Sequence, residues 1–174
     1  FIRPDTGLKS FTGQIFYREN HETDWAYFDQ TTQPKDIIVV ANPKRMHAEY
    51  RVVIAKGEPI TASMYQYEGN RKQLPGAPKK VLTFAKEVAA VIDKELDIGP
   101  MYVVDVVETL EDEPRLMEIN CFNCAGMYEA DKSIIVDAAN AIAWEEHKAY
   151  YKDIWDRLGE IESKHPDLTN LPPA

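Results

Sequence analysis

The sequence is short of basic residues and of long apolar runs, and each shortage excludes a class of function. Twenty lysines and arginines stand against 29 acidic residues, which gives a net charge of −9. This balance argues against non-specific nucleic-acid binding and against an anionic membrane surface, because both need a basic face. No apolar run approaches the roughly 20 residues of a membrane span, and no signal peptide opens the chain. We therefore expect a cytoplasmic protein without a membrane partner.

Cysteine is also scarce, and the two that occur, Cys121 and Cys124, form a C-x-x-C. A zinc site needs two more Cys or His ligands, and the four histidines show no matching spacing. A redox pair of the thioredoxin type is expected at a helix start in a βαβ unit, and the sequence around Cys121 does not favour one. A pair of reduced thiols is the interpretation we favour, with the redox and zinc interpretations left open.

The most informative stretch is a predicted pair of strands. β-Branched and aromatic residues dominate 102–107 and 116–120, and the polar segment 110–114 separates them. If the strands fold back on each other, Asp105 lies across from Glu118 and Asn120, whose i, i+2 spacing puts both on one face. Two carboxylates and an amide are hard oxygen ligands that suit Mg²⁺ or Mn²⁺. The three residues are therefore candidate metal ligands, although a salt bridge or a solvent-facing rim explains any single acid.

A loop with two glycines follows the first predicted strand. It runs from Asp5 to Gln14, carries three hydroxyl residues and Lys9, and is flanked by Arg3. Backbone N–H groups of such a loop can face an anion while the two basic side chains supply charge. The loop lacks the ending of a P-loop and the spacing of a Rossmann turn. An ordinary turn is the alternative interpretation.

The remaining elements are predicted from periodicity. A strand at 49–55 puts Glu49 and Arg51 on one face, where they can reach a ligand together or form a cross-strand ion pair. Residues 68–80 are predicted to be a loop. Apolar residues at helical spacing predict helices over 81–96, 133–143 and 145–163. The chain opens at Phe1 inside a predicted strand, so we expect an amino-terminal portion to be missing.

The order of these parts resembles the ATP-grasp superfamily, and within it a clade of small bacterial and phage proteins. A basic residue before proline, a Gly/Ser/Thr loop, a strand feeding a hinge, an E-x-R strand, a helix and a D…E-x-N strand pair follow one another from Phe1 to about Tyr128. The resemblance implies an α+β fold in which two lobes with antiparallel sheets clamp ATP. The lobes are expected at 1–68 and 69–163, with a tail at 164–174.

The resemblance also implies roles for individual residues. Mg²⁺ would bridge the ATP phosphates to the three candidate metal ligands. Arg51 and Lys9 would be catalytic through their charge, the hinge would contact adenine and Glu49 would contact ribose. Arg3 stands where many members carry lysine and keeps the charge. The implied cofactor-binding residues are Arg3, Lys9, Ser10, Thr12, Gly13, Val39, Val40, Ala41, Glu49 and Arg51.

The implied activity is that of a carboxylate–amine ligase. A substrate carboxylate attacks the γ-phosphate and an amine captures the acylphosphate, so no protein nucleophile is needed. The expected partners are ATP and a small molecule or peptide that carries a carboxylate and an amine. The alternatives are an ATP-binding protein without ligase activity, a phosphotransferase and, more remotely, a redox or zinc module. The domain that often supplies the acceptor site in this family is expected to lie outside this sequence, so neither the acceptor nor the oligomeric state is identified.

Overall fold

A computed structural model describes residues 1–5, 11–20, 22–23, 26, 32, 35–111 and 113–164. The chain forms two compact units, Phe1–Arg45 and Met46–Ala174. Within the described ranges no helix is both long and apolar enough to cross a membrane.

The first unit contains a small antiparallel sheet. Strand β1, Ile2–Pro4, pairs with β2, Ile38–Val40, so that Arg3 lies opposite Val39. Ile2 also exchanges two backbone hydrogen bonds with Gln14, at 2.8 and 2.9 Å. The segment after the glycine loop, predicted as a strand, therefore contributes one isolated bridge rather than a strand of its own.

The second unit is built on a five-stranded antiparallel sheet in the order β5-β4-β3-β6-β7. Its strands are β3 Met46–Ala55, β4 Glu58–Tyr67, β5 Asn70–Pro75, β6 Met101–Thr109 and β7 Pro114–Cys121. The predicted antiparallel pairing of the two strands around Asp105 and Glu118 is confirmed as β6 and β7.

Two tight turns join the first three strands of this sheet. Lys56-Gly57 and Glu68-Gly69 each have positive φ at both residues, between 46° and 79°. Two-residue turns of this kind match the twist of a hairpin, and glycine adopts the second position without strain. The second turn leads into β5, where the sequence predicted a loop over 68–80. That prediction was wrong because β5 is a polar edge strand without the apolar alternation that marks a strand.

The main core lies between one face of the sheet and helix α1, Lys79–Glu95. The helix buries Val81, Ala85, Ala89 and Ile92, which recur at three- and four-residue spacing. They pack on side chains of β3 and β6 such as Val52, which has no exposed surface. Burial of a side chain of this size contributes roughly 1.5–3 kcal/mol, so this face anchors the sheet. The predicted helix over 81–96 is confirmed.

The other face of the sheet carries a small apolar cluster and several buried polar groups. Val53 and Val103 pack with Ala130 and Ile135. Ile135 belongs to helix α2, Lys132–Tyr150, and helix α3, Lys152–Lys164, follows it. Helices were predicted over 133–143 and 145–163, but the break lies at Tyr151. Residue 144 offers neither glycine nor proline to stop a helix, so α2 continues through it.

The predicted division into lobes at 68/69 falls in the turn between β4 and β5, which belong to the same sheet. Compactness divides the chain earlier, after Arg45. The assignment of 1–68 and 69–163 to the two halves of a nucleotide clamp, with 164–174 as a tail, stays a prediction.

Candidate functional site

Four polar side chains form a row across the sheet, on the face opposite α1. Arg51 of β3 is paired with Ser63 of β4 and with Asp105 of β6, and Asp105 is paired with Glu118 of β7. Directly paired residues project from the same face of a sheet, so the four side chains are neighbours. Ser63 and Asp105 are buried, with 0% and 2% of their surface exposed, and Arg51 is only 9% exposed.

Arg51 and Asp105 form a buried, two-bonded ion pair. Arg51 Nε donates to Asp105 Oδ1 at 2.8 Å, and Nη2 donates to Oδ2 at 2.7 Å. Nη1 donates to the carbonyl oxygen of Gly126 at 3.0 Å. The hydrogen bonds to Asp105 raise the pKa of Arg51 and outweigh the opposing effect of burial. The guanidinium is therefore a fixed positive charge in a defined orientation.

Two tyrosine rings lie over this guanidinium. Its central carbon is 5.8 Å from the ring centre of Tyr65 and 5.1 Å from that of Tyr128. The two rings are stacked on each other at 5.0 Å. Such cation–π contacts add about 0.5–2 kcal/mol each, depending on solvation. Tyr65, Tyr128 and the Gly126 carbonyl therefore hold Arg51 from three further directions.

Glu49 is a second buried carboxyl on this face, two residues before Arg51. It is 6% exposed. Burial raises the pKa of Glu49, a hydrogen bond from the Tyr65 hydroxyl lowers it, and the charge of Asp105 raises it again. Burial, together with the charges of Asp105 and Glu49, raises the pKa of Tyr65 in turn. The predicted ribose contact is thus bonded to a protein hydroxyl in this structure.

The structure brings two of the three predicted metal ligands into direct register. Asp105 lies opposite Glu118, and Asn120 projects from the same face of β7, opposite Val103. Glu118 and Asn120 are half-buried. Within the part of the chain that the structure describes, no group of three or more His, Cys, Asp or Glu residues can hold a metal ion. The donor set is therefore two carboxylates and one amide, with the remaining positions left to water or phosphate.

This donor set fits Mg²⁺, which is commonly bound by one or two carboxylates together with substrate phosphates. The fit survives the ion pair. A carboxylate offers about four lone-pair sites, and Arg51 takes one on each oxygen of Asp105. Asp105 therefore keeps lone pairs for a cation while it is bonded to Arg51.

The first unit brings three other predicted residues together. Arg3 is exposed on β1, opposite Val39 of β2. A Cβ atom placed on Gly13 would lie 3.3 Å from Cβ of Arg3 and 2.8 Å from Cζ of Phe1. Glycine is therefore required for the loop to approach β1 this closely. Thr12 is exposed beside it, whereas Lys9 and Ser10 lie outside the described residues.

The hinge residues differ in the direction of their backbone groups. The Ala41 N–H donates to the Phe1 carbonyl at 3.0 Å, and the Ala41 carbonyl accepts from the Phe1 amino group at 2.9 Å. Because hydrogen-bonded and non-hydrogen-bonded pairs alternate along antiparallel strands, Val40 is the residue whose backbone groups point away from β1. Val40 is therefore the hinge position best oriented for a base, and Ala41 is already engaged.

Residues 1–138 match the family model for an ATP-grasp domain, the second family of its clade. The match takes in both sheets, α1 and the first part of α2. The chain belongs to this ATP-grasp family. A comparison with curated proteins found no match.

Membership confirms both the resemblance seen in the sequence and the predicted fold class. An ATP-grasp domain is an α+β domain with antiparallel sheets, as observed here. It identifies the protein as ATP-binding, and the family in general uses a divalent metal with ATP. The individual site residues stay predictions, now with a defined geometry around them.

Sequence reasoning missed the aromatic part of this ATP-grasp site. The signal for Tyr65 was present, since strand alternation puts it two residues from Ser63 and thus on the face of Arg51. Tyr128 gave no such signal, because it lies in an irregular turn with φ of 48°. Gly126 contributes a backbone carbonyl, which no side-chain pattern reveals.

The C-x-x-C lies at the end of β7. Cys121 is the last residue of that strand, and Cys124 ends a 3₁₀ helix, Phe122–Cys124. Both cysteines are free and exposed. The described residues supply no further ligands for a zinc site around them.

Proposed function

We propose that this ATP-grasp domain catalyses the ATP-dependent joining of a carboxylate to an amine through an acylphosphate. The observation that carries the proposal is the buried row of Arg51, Asp105 and Glu118, which offers one fixed cation beside two oxygen ligands for a metal. The acceptor is a small molecule or peptide that carries a carboxylate or an amine. Mg²⁺ is the metal that best suits the donor set, and Mn²⁺ has similar ligand preferences.

Arg51 has the geometry expected of a preorganised phosphate contact. A guanidinium has five N–H donors, and three are used by Asp105 and Gly126. The remaining two are available to an anionic ligand. Because Asp105 and the two tyrosines hold the group in place, it needs no reorganisation when charge develops on a transferred phosphoryl group.

The metal would neutralise charge on the transferred phosphoryl group and its leaving group. Asp105, Glu118 and Asn120 are the residues proposed to hold it. In the first unit, Arg3, Lys9, Ser10, Thr12 and Gly13 are proposed to contact phosphate. The backbone of Val39 and Val40 is proposed to contact adenine, and Glu49 to contact ribose.

Ser63, the one hydroxyl of the row, is committed to structure. Its Oγ lies 2.8 Å from the Met64 carbonyl and 3.1 Å from the Leu74 carbonyl, to which it donates. It also accepts from the Glu129 N–H at 3.2 Å. A nucleophilic role would break these contacts, so the attacking group is better supplied by the substrate, as in acylphosphate chemistry.

The test is a substrate screen with the full chain, Mg²⁺ and ATP. Candidate carboxylates and amines are added singly and in pairs, and ADP and inorganic phosphate are measured. Hydroxylamine is included in parallel, because it converts an acylphosphate to a stable hydroxamate. Phosphate release that requires a carboxylate, with hydroxamate formation, supports the ligase.

Two other results contradict it. Transfer of phosphate to an acceptor without release of inorganic phosphate would identify a phosphotransferase. ATP binding with no turnover across the screen would identify a nucleotide-binding protein without ligase activity.

A further inference from the structure

We propose that Cys121 and Cys124 form a reversible disulfide that weakens metal binding at Glu118 and Asn120. The effect on the metal rests on the proposed function of those two residues. The disulfide itself rests on the local geometry and chemistry of the two thiols, which are independent of any activity.

The backbone holds the two cysteines three positions apart in a tight turn. Cys121 precedes the 3₁₀ helix that Cys124 ends, and the N–H of Ala125 donates to the Phe122 carbonyl at 3.3 Å. The ends of such a four-residue turn have Cα atoms within about 7 Å of each other. Disulfides bridge Cα separations of about 4.4–6.8 Å. A bond between the two sulfurs therefore needs only a local rearrangement.

Both thiols can be reached by a dissolved oxidant, since both side chains are exposed and free. They are also the only two cysteines in the 174 residues. An intramolecular disulfide can therefore join only this pair. An exposed bond that closes so small a loop belongs to the labile class, which is readily reduced again.

The oxidation balances with a low-molecular-weight disulfide such as glutathione disulfide as the oxidant. The Cys124 thiol loses its proton and attacks one sulfur of the oxidant, which breaks the oxidant's S–S bond and releases one thiolate. The Cys121 thiol then loses its proton and attacks the Cys124 sulfur, which forms the protein disulfide and releases the second thiolate. The two thiolates take up the two protons, and two electrons pass from the protein to the oxidant.

The link to the metal site is the peptide bond between Asn120 and Cys121. Cys121 has an extended backbone, with φ of −61° and ψ of 141°, and is paired with Tyr102 of β6. Bringing the two Cβ atoms to the roughly 3.5–4.5 Å of a disulfide requires rotation of the backbone in 121–124.

The neighbouring strand cannot follow that rotation. Tyr102 has no exposed surface, and its hydroxyl donates to Asp93 Oδ1 at 2.8 Å. The distortion is therefore taken up by the end of β7, where Asn120 immediately precedes Cys121. Mg²⁺ demands near-ideal ligand geometry, so a small displacement of the Asn120 amide lowers its affinity. Disturbing the groups that orient metal ligands commonly costs about 10–100-fold in affinity, and we expect an effect of about 10-fold.

The experiment uses the full chain in three states: reduced, oxidised with glutathione disulfide, and reduced again with dithiothreitol. Peptide mapping under non-reducing conditions reports the Cys121–Cys124 bond. Calorimetry measures ATP binding with and without Mg²⁺. We expect oxidation to weaken Mg²⁺-dependent ATP binding about 10-fold, to leave metal-free ATP binding unchanged, and to be reversed by dithiothreitol.

The control is the thiol-free variant Cys121→Ser with Cys124→Ser. It should bind Mg²⁺-ATP as the reduced chain does and be unaffected by the oxidant. Mapping that finds only mixed disulfides with glutathione would overturn the proposal. So would a mapped intramolecular disulfide with unchanged Mg²⁺-dependent binding. Absence of Mg²⁺-dependent binding in the reduced chain would overturn the proposed function and the coupling to it, while the mapping would still decide whether the disulfide forms.

Discussion

Arg51 binds both oxygens of the buried Asp105 carboxylate, so a proposed phosphate contact and a proposed metal ligand are directly joined. Neither charge is solvated by bulk water, because both side chains are almost fully buried. Each residue is therefore necessary for the other to remain charged in this position. A substitution at either one alters the site twice, once by removing a ligand contact and once by leaving a buried charge without its partner.

Breaking this ion pair should be more damaging than removing it. We expect Arg51→Met alone to lower the free energy of unfolding by about 3–5 kcal/mol, since it leaves the Asp105 charge uncompensated. The double variant Arg51→Met with Asp105→Leu should regain most of that loss. Urea denaturation of the two variants and the parent measures both values. If Arg51→Met does not fold, the double variant still tests the argument, and a double variant no more stable than the single one would contradict it.

Strand alternation and register were enough to predict the centre of this site. The i, i+2 spacing of Glu118 and Asn120, and the pairing of their strand with that of Asp105, depend on local sequence alone. The pairing of Arg51 with Asp105 joins strands separated by α1 and two turns. It depends on the strand order of the sheet, which pattern alone does not give. An ion pair at Arg51 was one of the two alternatives that the sequence left open.

Other features were beyond the sequence for identifiable reasons. Strand β5 is polar because it is an edge strand, so its residues carry no apolar alternation. Tyr128 reaches Arg51 through a positive-φ turn, and neither the turn nor its direction is encoded in a periodic pattern. The engagement of Ala41 by Phe1 depends on how β1 and β2 are paired, which again requires the fold.

The metal proposal is best tested at Glu118, because Asp105 also serves the ion pair. We expect Glu118→Gln to fold normally and to weaken Mg²⁺-dependent ATP binding by at least about 10-fold, since an amide replaces a charged ligand. Binding of ATP without metal should change little. Calorimetry at a series of Mg²⁺ concentrations measures both. Glu87→Gln, the same change on an exposed position of α1, is the matched control, and equal behaviour of the two variants would remove Glu118 from the metal site.

Glu49 should make the stability of the protein depend on pH. Its pKa in the folded state is raised above the ordinary value of 4.5, chiefly by burial. The folded state therefore binds more protons than the unfolded state at pH values between the two pKa values, and stability falls as pH rises through that window. Below pH 4.5 this loss is absent.

Glu49→Gln removes the titrating group while keeping a side chain of the same size. We expect the variant to gain stability relative to the parent as pH rises from about 4.5 toward neutrality. Urea unfolding of parent and variant across that range measures the difference. Glu87→Gln controls for loss of an exposed carboxyl. A parent–variant difference that is constant with pH would show that burial does not penalise the Glu49 charge.

The basic residues of the proposed phosphate site should act on turnover rather than on adenosine affinity. Arg3 is exposed beside Gly13 in the first unit, and Lys9 belongs to the same glycine loop in the sequence. In a protein of net charge −9, a cation beside a glycine-lined loop is suited to a polyphosphate. Removing one preorganised contact to a transferred phosphoryl group typically costs about 10²–10³ in rate.

We therefore expect Arg3→Ala and Lys9→Ala each to lower turnover by about 10²-fold while adenosine, which has no phosphate, binds as before. Turnover is measured by phosphate release with a substrate found in the ligase screen, or by ATP hydrolysis if hydrolysis alone occurs. Calorimetry with adenosine gives the affinity. Lys94→Ala, at the exposed end of α1, is the control for loss of a surface cation. Parallel, small effects of all three variants on turnover would mean that Arg3 and Lys9 are surface charges, because only a contact to phosphate separates the two measurements.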